Sequence, residues 1–254
     1  MAASAPRSLE LAPLVEVEGL HHVYRSLGTG DVTALERVDL ELGPGERMAL
    51  TGRSGSGKTT LLGILAGLEE PTAGRVVVAG HDLSRLGRRE REAFRRRVVG
   101  YVWQDAERAL VPGLSVVQNV ILPMLAERGS ARPRLDFALE LLDGLALRDL
   151  AGAGLHDLTA AEIQRLALAV ALANRPLILL ADELTASLDR PTGGRLMSDL
   201  VALLRSTATA AVLVTHDQRL RRYVDRVVTI RSGTSQPSES PAAAAGARMS
   251  EDAG

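Results

Sequence analysis

One stretch constrains the fold of this chain more than any other: Gly52-Arg53-Ser54-Gly55-Ser56-Gly57-Lys58-Thr59. It fits the pattern G-x-x-x-x-G-K-[ST] and stands where that pattern has meaning. An apolar run, Met48-Ala49-Leu50-Thr51, precedes it, and Thr60-Leu61-Leu62-Gly63-Ile64-Leu65 follows it. The order predicts a buried strand, a glycine-rich turn and a helix. Glycines let successive backbone N–H groups turn inward around phosphate oxygens, and the helix N-terminus adds a favourable field. Lys58 supplies a compact charge for β- and γ-phosphates, a role that a planar guanidinium fits poorly. Thr59 offers a hydroxyl to Mg²⁺. Gly52, Arg53, Ser54, Gly55, Ser56, Gly57, Lys58, Thr59 and Thr60 are therefore the candidate nucleotide-binding set.

Composition sharpens this. Lys+Arg totals 30, yet Lys58 is the single lysine, so 29 are arginine. A bias toward arginine codons accounts for the 29, and one position kept lysine. The net charge of −1 gives no global basic field for nucleic acid. Cysteine is absent, which excludes disulfides and thiolate metal sites. Apolar stretches such as Leu166–Ala173 fall well short of the ~20 residues that span a bilayer. Residues 1–13 lack the apolar core of a secretory signal, so the expected location is the cytosol.

The 254 residues suffice for one α/β domain with an inserted subdomain. Residues 1–13 and 232–254 are small, polar and aperiodic, and are expected to be disordered. Between them, strands are predicted at Arg47–Thr51, Val98–Trp103, Leu177–Ala181, Ala211–Thr215 and Arg226–Ile230. Helices are predicted after Gly57, at about Gln118–Glu127, Leu135–Leu142 and Ala161–Asn174, and over Thr192–Ser206. Alternation of this kind specifies a largely parallel sheet wrapped by helices. The stretch of about 88–165 reads as an inserted helical subdomain. Seven arginines between Arg85 and Arg97 are interrupted by Glu90 and Glu92 with only Phe94 as an aromatic, and read as a solvated helix face.

Two further strand ends carry chemistry. Leu177-Ile178-Leu179-Leu180-Ala181 runs into Asp182 and Glu183, which places two carboxylates where α/β sheets bind ligands. Asp182 is expected to hold Mg²⁺ through water, and Glu183 to orient or deprotonate an attacking water. Leu213-Val214-Thr215 ends in His216, placed to contact a γ-phosphate.

Together these residues resemble the nucleotide-binding domain of ABC transporters, from about residue 14 to 231. That resemblance implies an α/β fold with a RecA-like core, an antiparallel β region near the N-terminus and the helical subdomain. It implies that Tyr24 stacks on adenine and that Gln104 touches Mg²⁺ and faces a permease. Ser187-Leu188-Asp189 is similar to the loop that follows the catalytic glutamate. Arg37-Val38-Asp39-Leu40, Gly100-Tyr101-Val102-Trp103-Gln104 and Ser115-Val116-Val117-Gln118-Asn119-Val120 with Leu122-Pro123 resemble the lipoprotein-releasing and macrolide-exporter branch. The implied cofactors are ATP and Mg²⁺, with Glu183, His216, Gln104 and Lys58 as catalytic residues. The implied partners are an integral-membrane permease, which holds the chain at the cytoplasmic face, and a second ATPase subunit; nucleic acid is not among them. Weak hydrolysis in a force-transmitting complex, or a non-transport ABC ATPase, are the alternatives.

The pattern has one large break. The family's L-S-G-G-[QE] is here Leu158-Thr159-Ala160-Ala161-Glu162. In the family this loop crosses the dimer interface and closes over the partner's γ-phosphate, so Thr159, Ala160, Ala161 and Glu162 are expected to act in trans. A Cβ at either alanine obstructs close approach, and any left-handed backbone there costs ~1–2 kcal/mol. A tenfold rate loss needs only ~1.4 kcal/mol. A complete set of catalytic residues beside a defective trans loop leads us to expect an asymmetric pair with a different ATPase. Leu184 in place of proline and Val170 in place of arginine are smaller departures that remove no catalytic group.

Overall fold

A computed structural model describes residues 12–25, 30–126 and 130–237. Strands β1 (Val15–Tyr24), β2 (Val32–Leu42), β4 (Ala73–Val78) and β5 (His81–Asp82) form an antiparallel layer. A parallel set follows the order β9-β3-β8-β7-β6: β3 (Arg47–Thr51), β6 (Val99–Val102), β7 (Ile178–Asp182), β8 (Ala210–Val214) and β9 (Arg226–Arg231). All five were legible as apolar runs because both faces are covered, which removes the polar alternation of a half-exposed strand. Successive side chains divide between two cores. Met48, Leu50, Ile178, Leu180 and Val212 enter one; Ala49, Leu179, Ala181 and Ala211 enter the other.

The first core is closed by the antiparallel layer and α1 (Lys58–Leu65). Helix α2 (Arg88–Val98) also lies on it, through Phe94 and Val98. Arg91 is buried and donates to the carbonyls of Leu83 (3.1 Å) and Leu86 (3.3 Å) and to Glu70 (2.9 Å). Arg91, Phe94 and Val98 stand at helical spacing, so α2 belongs to the core layer. This corrects two expectations: the arginine run is not wholly a solvated face, and the helical subdomain does not begin at 88.

The insertion lies between β6 and β7. It holds α3 (Val116–Ile121), a 3₁₀ segment (Leu122–Ala126), α4 (Ala131–Gly144) and α5 (Ala160–Leu172). Glu127, the last residue of one predicted helix, lies outside the described residues. Arg165 on α5 ties the insertion to the core: it donates to the Leu145 carbonyl (2.9 Å) and to Asp199 (2.6 Å) on α6 (Arg190–Thr207).

The tail expected from 232 begins instead with a strand, β10 (Thr234–Pro237). It pairs antiparallel with β9 and meets β2 at Thr234↔Arg37, which joins the two sheets into one of ten strands. Its polar sequence hid it, because backbone pairing rather than apolar side chains holds it. Ser235 Oγ accepts from the Asp39 N–H (3.0 Å) and donates to the Asp39 carbonyl (2.8 Å). Residues 1–11 and 238–254, also expected to be disordered, lie outside the described residues.

Candidate functional site

The parallel strands are in register, with Val102 opposite Ala181, Asp182 opposite Val214, and Val214 opposite Leu50. Their C-terminal ends therefore open on one edge, the place where α/β sheets gather ligand-binding groups. The glycine-rich loop follows β3, Gln104 follows β6, Asp182 ends β7 with Glu183 next to it, and His216 follows β8. All four sequence-predicted groups lie along that edge. Gln104 stands exposed at the rim.

The loop needs its glycines for space as well as for backbone angle. A Cβ at Gly52 (φ 146°) would lie 2.3 Å from the Ile230 carbonyl oxygen. One at Gly57 (φ 98°) would lie 2.4 Å from the Ala34 carbonyl oxygen. Gly57 is the N-cap of α1 and brings no side-chain hydrogen bond, so the first N–H groups of that helix keep their free direction. Ser56 Oγ is buried without a hydrogen-bond partner among the described residues. A groove of about 680 Å³ runs beside the loop, lined by Arg53, Ser54, Gly55, Thr229 and Arg231 among others.

Lys58 is buried and its Nζ donates to the carbonyls of Gly52 (2.9 Å) and Arg53 (2.8 Å). Burial pushes its pKa down, against the opposing pull of the Glu183 and Asp182 carboxylates. Thr59 Oγ1 donates to Asp182 Oδ2 at 2.7 Å, which sets a hydroxyl and a carboxylate at the mouth of the loop. Glu183 adopts φ 51°, a left-handed backbone that a non-glycine residue takes at a cost of ~1–2 kcal/mol. Its N–H donates to the Val214 carbonyl (3.0 Å), and its Oε1 lies 2.9 Å from His216 Nε2. The strained turn thus aims Glu183 toward the histidine from the neighbouring strand. Leu184, where proline was expected, is 4% exposed and fills the core instead.

Tyr24, at the end of β1, is 43% exposed, but its hydroxyl is tethered. It lies 2.6 Å from Glu69 Oε2 and 3.2 Å from Thr60 Oγ1. Burial raises the phenol pKa, with acceptance by Glu69 adding and Thr60 opposing. Neither Glu69 nor His22, whose Nε2 stands 3.4 Å from the same Glu69 oxygen, was found by sequence reasoning. Both sit outside any motif, and only the fold brings them to Tyr24.

Helix α5 starts at the loop that carries the two alanines. Ala160 and Ala161 are the first two helical residues, and neither has a positive φ. No backbone strain arises there; beside Thr159 in place of serine, the two Cβ atoms distinguish the loop from its family pattern. Thr159 caps the helix, accepting from the Glu162 N–H (3.4 Å), while Glu162 Oε2 accepts from both the N–H and the hydroxyl of Thr159 (2.7 Å each). Those bonds hold the Glu162 carboxyl below the usual range. The four residues open a helix of the insertion and do not follow one of the parallel strands that lead into Lys58, Asp182, Glu183 and His216.

Fold and site together define an ATPase built on a phosphate-binding loop. Residues 35–186 match the ABC transporter family, and the chain belongs to it. It is 40% identical over 221 residues (87% of this chain, 96% of the other) to a lipoprotein-releasing system ATP-binding protein LolD 2 of Caulobacter vibrioides. It is 41% identical over 221 residues to LolD of Ruegeria pomeroyi, with the same coverage. A dimeric ATP-binding cassette, MJ0796, in a post-hydrolysis state with ADP and Pi, superimposes with a TM-score of 0.80 at 33% identity, covering 89% of this chain and 98% of that one. The chain is a LolD-like ATP-binding subunit and an ATPase of this family.

Proposed function

We propose that this chain drives an integral-membrane permease by hydrolysing ATP in a closed pair of cassettes, held at the cytoplasmic membrane face by that permease. The observation that carries the reading is the Glu183–His216 pair at 2.9 Å, set beside Lys58 and the Thr59–Asp182 contact. Among the described residues no helix is long and apolar enough to cross a membrane.

In this reading Lys58 and the loop N–H groups hold the β- and γ-phosphates. The orphaned Ser56 hydroxyl and the uncapped α1 N-terminus both suit an anion. Thr59 and Asp182 present hard oxygens that fit Mg²⁺, which would neutralise charge on the phosphate oxygens. Glu183 orients the attacking water and draws its proton, while His216 fixes the carboxylate and meets the γ-phosphate. The Tyr24 ring carries the adenine, and Gln104 passes the motion toward the permease. The gain comes from positioning and electrostatics rather than covalent catalysis. The LolD-like relatives favour a permease of the lipoprotein-releasing or macrolide-exporter kind, with the cargo chosen by the permease.

The two alanine Cβ atoms at 160 and 161 favour pairing with a different cassette whose intact loop completes the site on Lys58 and Glu183. Glu183→Gln in the full chain, assembled with its membrane partners, tests the catalytic reading. Turnover should fall by about a hundredfold or more with nucleotide affinity kept. Undiminished turnover would remove Glu183 from the mechanism.

A further inference from the structure

We propose that Glu69 is a positioning residue for the nucleotide base: its carboxylate fixes the Tyr24 phenol against the phosphate-loop helix, so that base and phosphates are read from one rigid frame. This rests on the reading that the Tyr24 ring carries the adenine.

A phenol has one hydrogen to give, and an ionised carboxylate only accepts. Tyr24 therefore donates to Glu69 Oε2 at 2.6 Å, and the Thr60 hydroxyl donates to the phenol oxygen at 3.2 Å. Thr60 lies in the first turn of α1, next to Thr59 and Lys58. The phenol thus bridges the end of β1 to the helix that opens the phosphate loop.

Glu69 is itself held. Leu68 and Glu69 donate their N–H groups to the Gly63 carbonyl (2.9 and 3.2 Å), which fastens the segment to α1. Thr72 fastens it to β1, donating to the His21 carbonyl (3.0 Å) and accepting from the Val23 N–H (3.1 Å). His22 closes the arrangement. Its Nε2 stands 3.4 Å from the Glu69 oxygen, and its ring meets Tyr24 edge-on at 4.7 Å. A ring left 43% exposed at a strand end would lose rotamer freedom on stacking with a base. Two hydrogen bonds to fixed partners remove that freedom beforehand. Glu69 acts through Tyr24 and needs no contact with nucleotide.

The test measures Kd of the full chain for ADP and for pyrophosphate, which has no base, both with Mg²⁺. Glu69→Gln and Tyr24→Phe should each weaken ADP about threefold to tenfold and leave pyrophosphate unchanged. Tyr24→Phe keeps the ring and the fold, so it reads the tether even where Glu69→Gln is unstable. Glu69→Gln should add nothing to Tyr24→Ala, and Glu69→Asp should recover part of the loss. ADP affinity kept by Glu69→Gln and Tyr24→Phe while Tyr24→Ala loses it overturns the proposal and leaves the ring as base platform. Equal loss for ADP and pyrophosphate overturns it in favour of a general disturbance of α1. Full ADP affinity in Tyr24→Ala overturns the platform reading and the proposal with it.

Discussion

Two helix N-termini in this molecule are expected to face phosphate, and they are built in opposite ways. Helix α1 begins at Gly57 in a left-handed conformation, with no side-chain cap. Helix α5 begins at Thr159 in an extended conformation, with a reciprocal Thr159–Glu162 cap. The first leaves its N–H groups and the Ser56 hydroxyl to whatever enters the loop. The second takes up one of its own donors, the Glu162 N–H, and its threonine hydroxyl and glutamate already bind one another. An end that must take an anion is kept open by glycine, because a cap would occupy the donors that the anion needs. On this comparison α5 offers one free donor fewer than α1, and the alanine Cβ atoms add bulk there.

The hardest test of the contrast is Gly57→Ala. A methyl group 2.4 Å from the Ala34 carbonyl and 2.6 Å from Leu35 forces the loop to move. Denaturant unfolding should show a loss of about 2–5 kcal/mol, with nucleotide binding lost as well. A stable variant with intact binding would mean that the loop tolerates a Cβ, as α5 does.

Ala160→Gly/Ala161→Gly, the reverse change at the other helix, should weaken the fold less, by about 1–2 kcal/mol for the two residues together, through helix propensity. Turnover of the purified chain should rise about tenfold if the methyl groups obstruct closure. Unchanged turnover would make them harmless and favour a pair of identical chains.

The smallest effect tests the α5 cap. Hydrogen bonds from Thr159 hold the Glu162 carboxyl below its unfolded value of about 4.3. Its contribution is thus present above that value and lost as pH falls through the lower folded pKa. The melting-temperature advantage over Glu162→Gln should accordingly shrink below about pH 4.3. A constant difference from neutral to acid would mean that the carboxylate does not hold the cap.

How much could be read in advance follows the same physics. The parallel strands were legible because burial on both faces makes their sequences continuously apolar. Lys58, Asp182, Glu183 and His216 were legible because each ends or follows such a run. Helix α2 was misjudged, since its arginines outnumber the residues at 91, 94 and 98 that enter the core. β10 was missed because backbone hydrogen bonds hold it, and a polar tail sequence carries no record of them. Whether Ala160 and Ala161 carry any left-handed strain could not be read from spacing; both lie in ordinary helix, since a capped helix start needs no positive φ.

By itself the sequence determined which groups are available for phosphate chemistry: a glycine loop with the sole lysine, two acids and a histidine, each marked by neighbours in the chain. Local spacing records contacts within a few residues. Only the tertiary structure decided that Glu183 meets His216, that Thr59 meets Asp182, and that Glu69 holds Tyr24. Those partners lie on separate segments, and strand register and packing, not sequence distance, set how closely they approach.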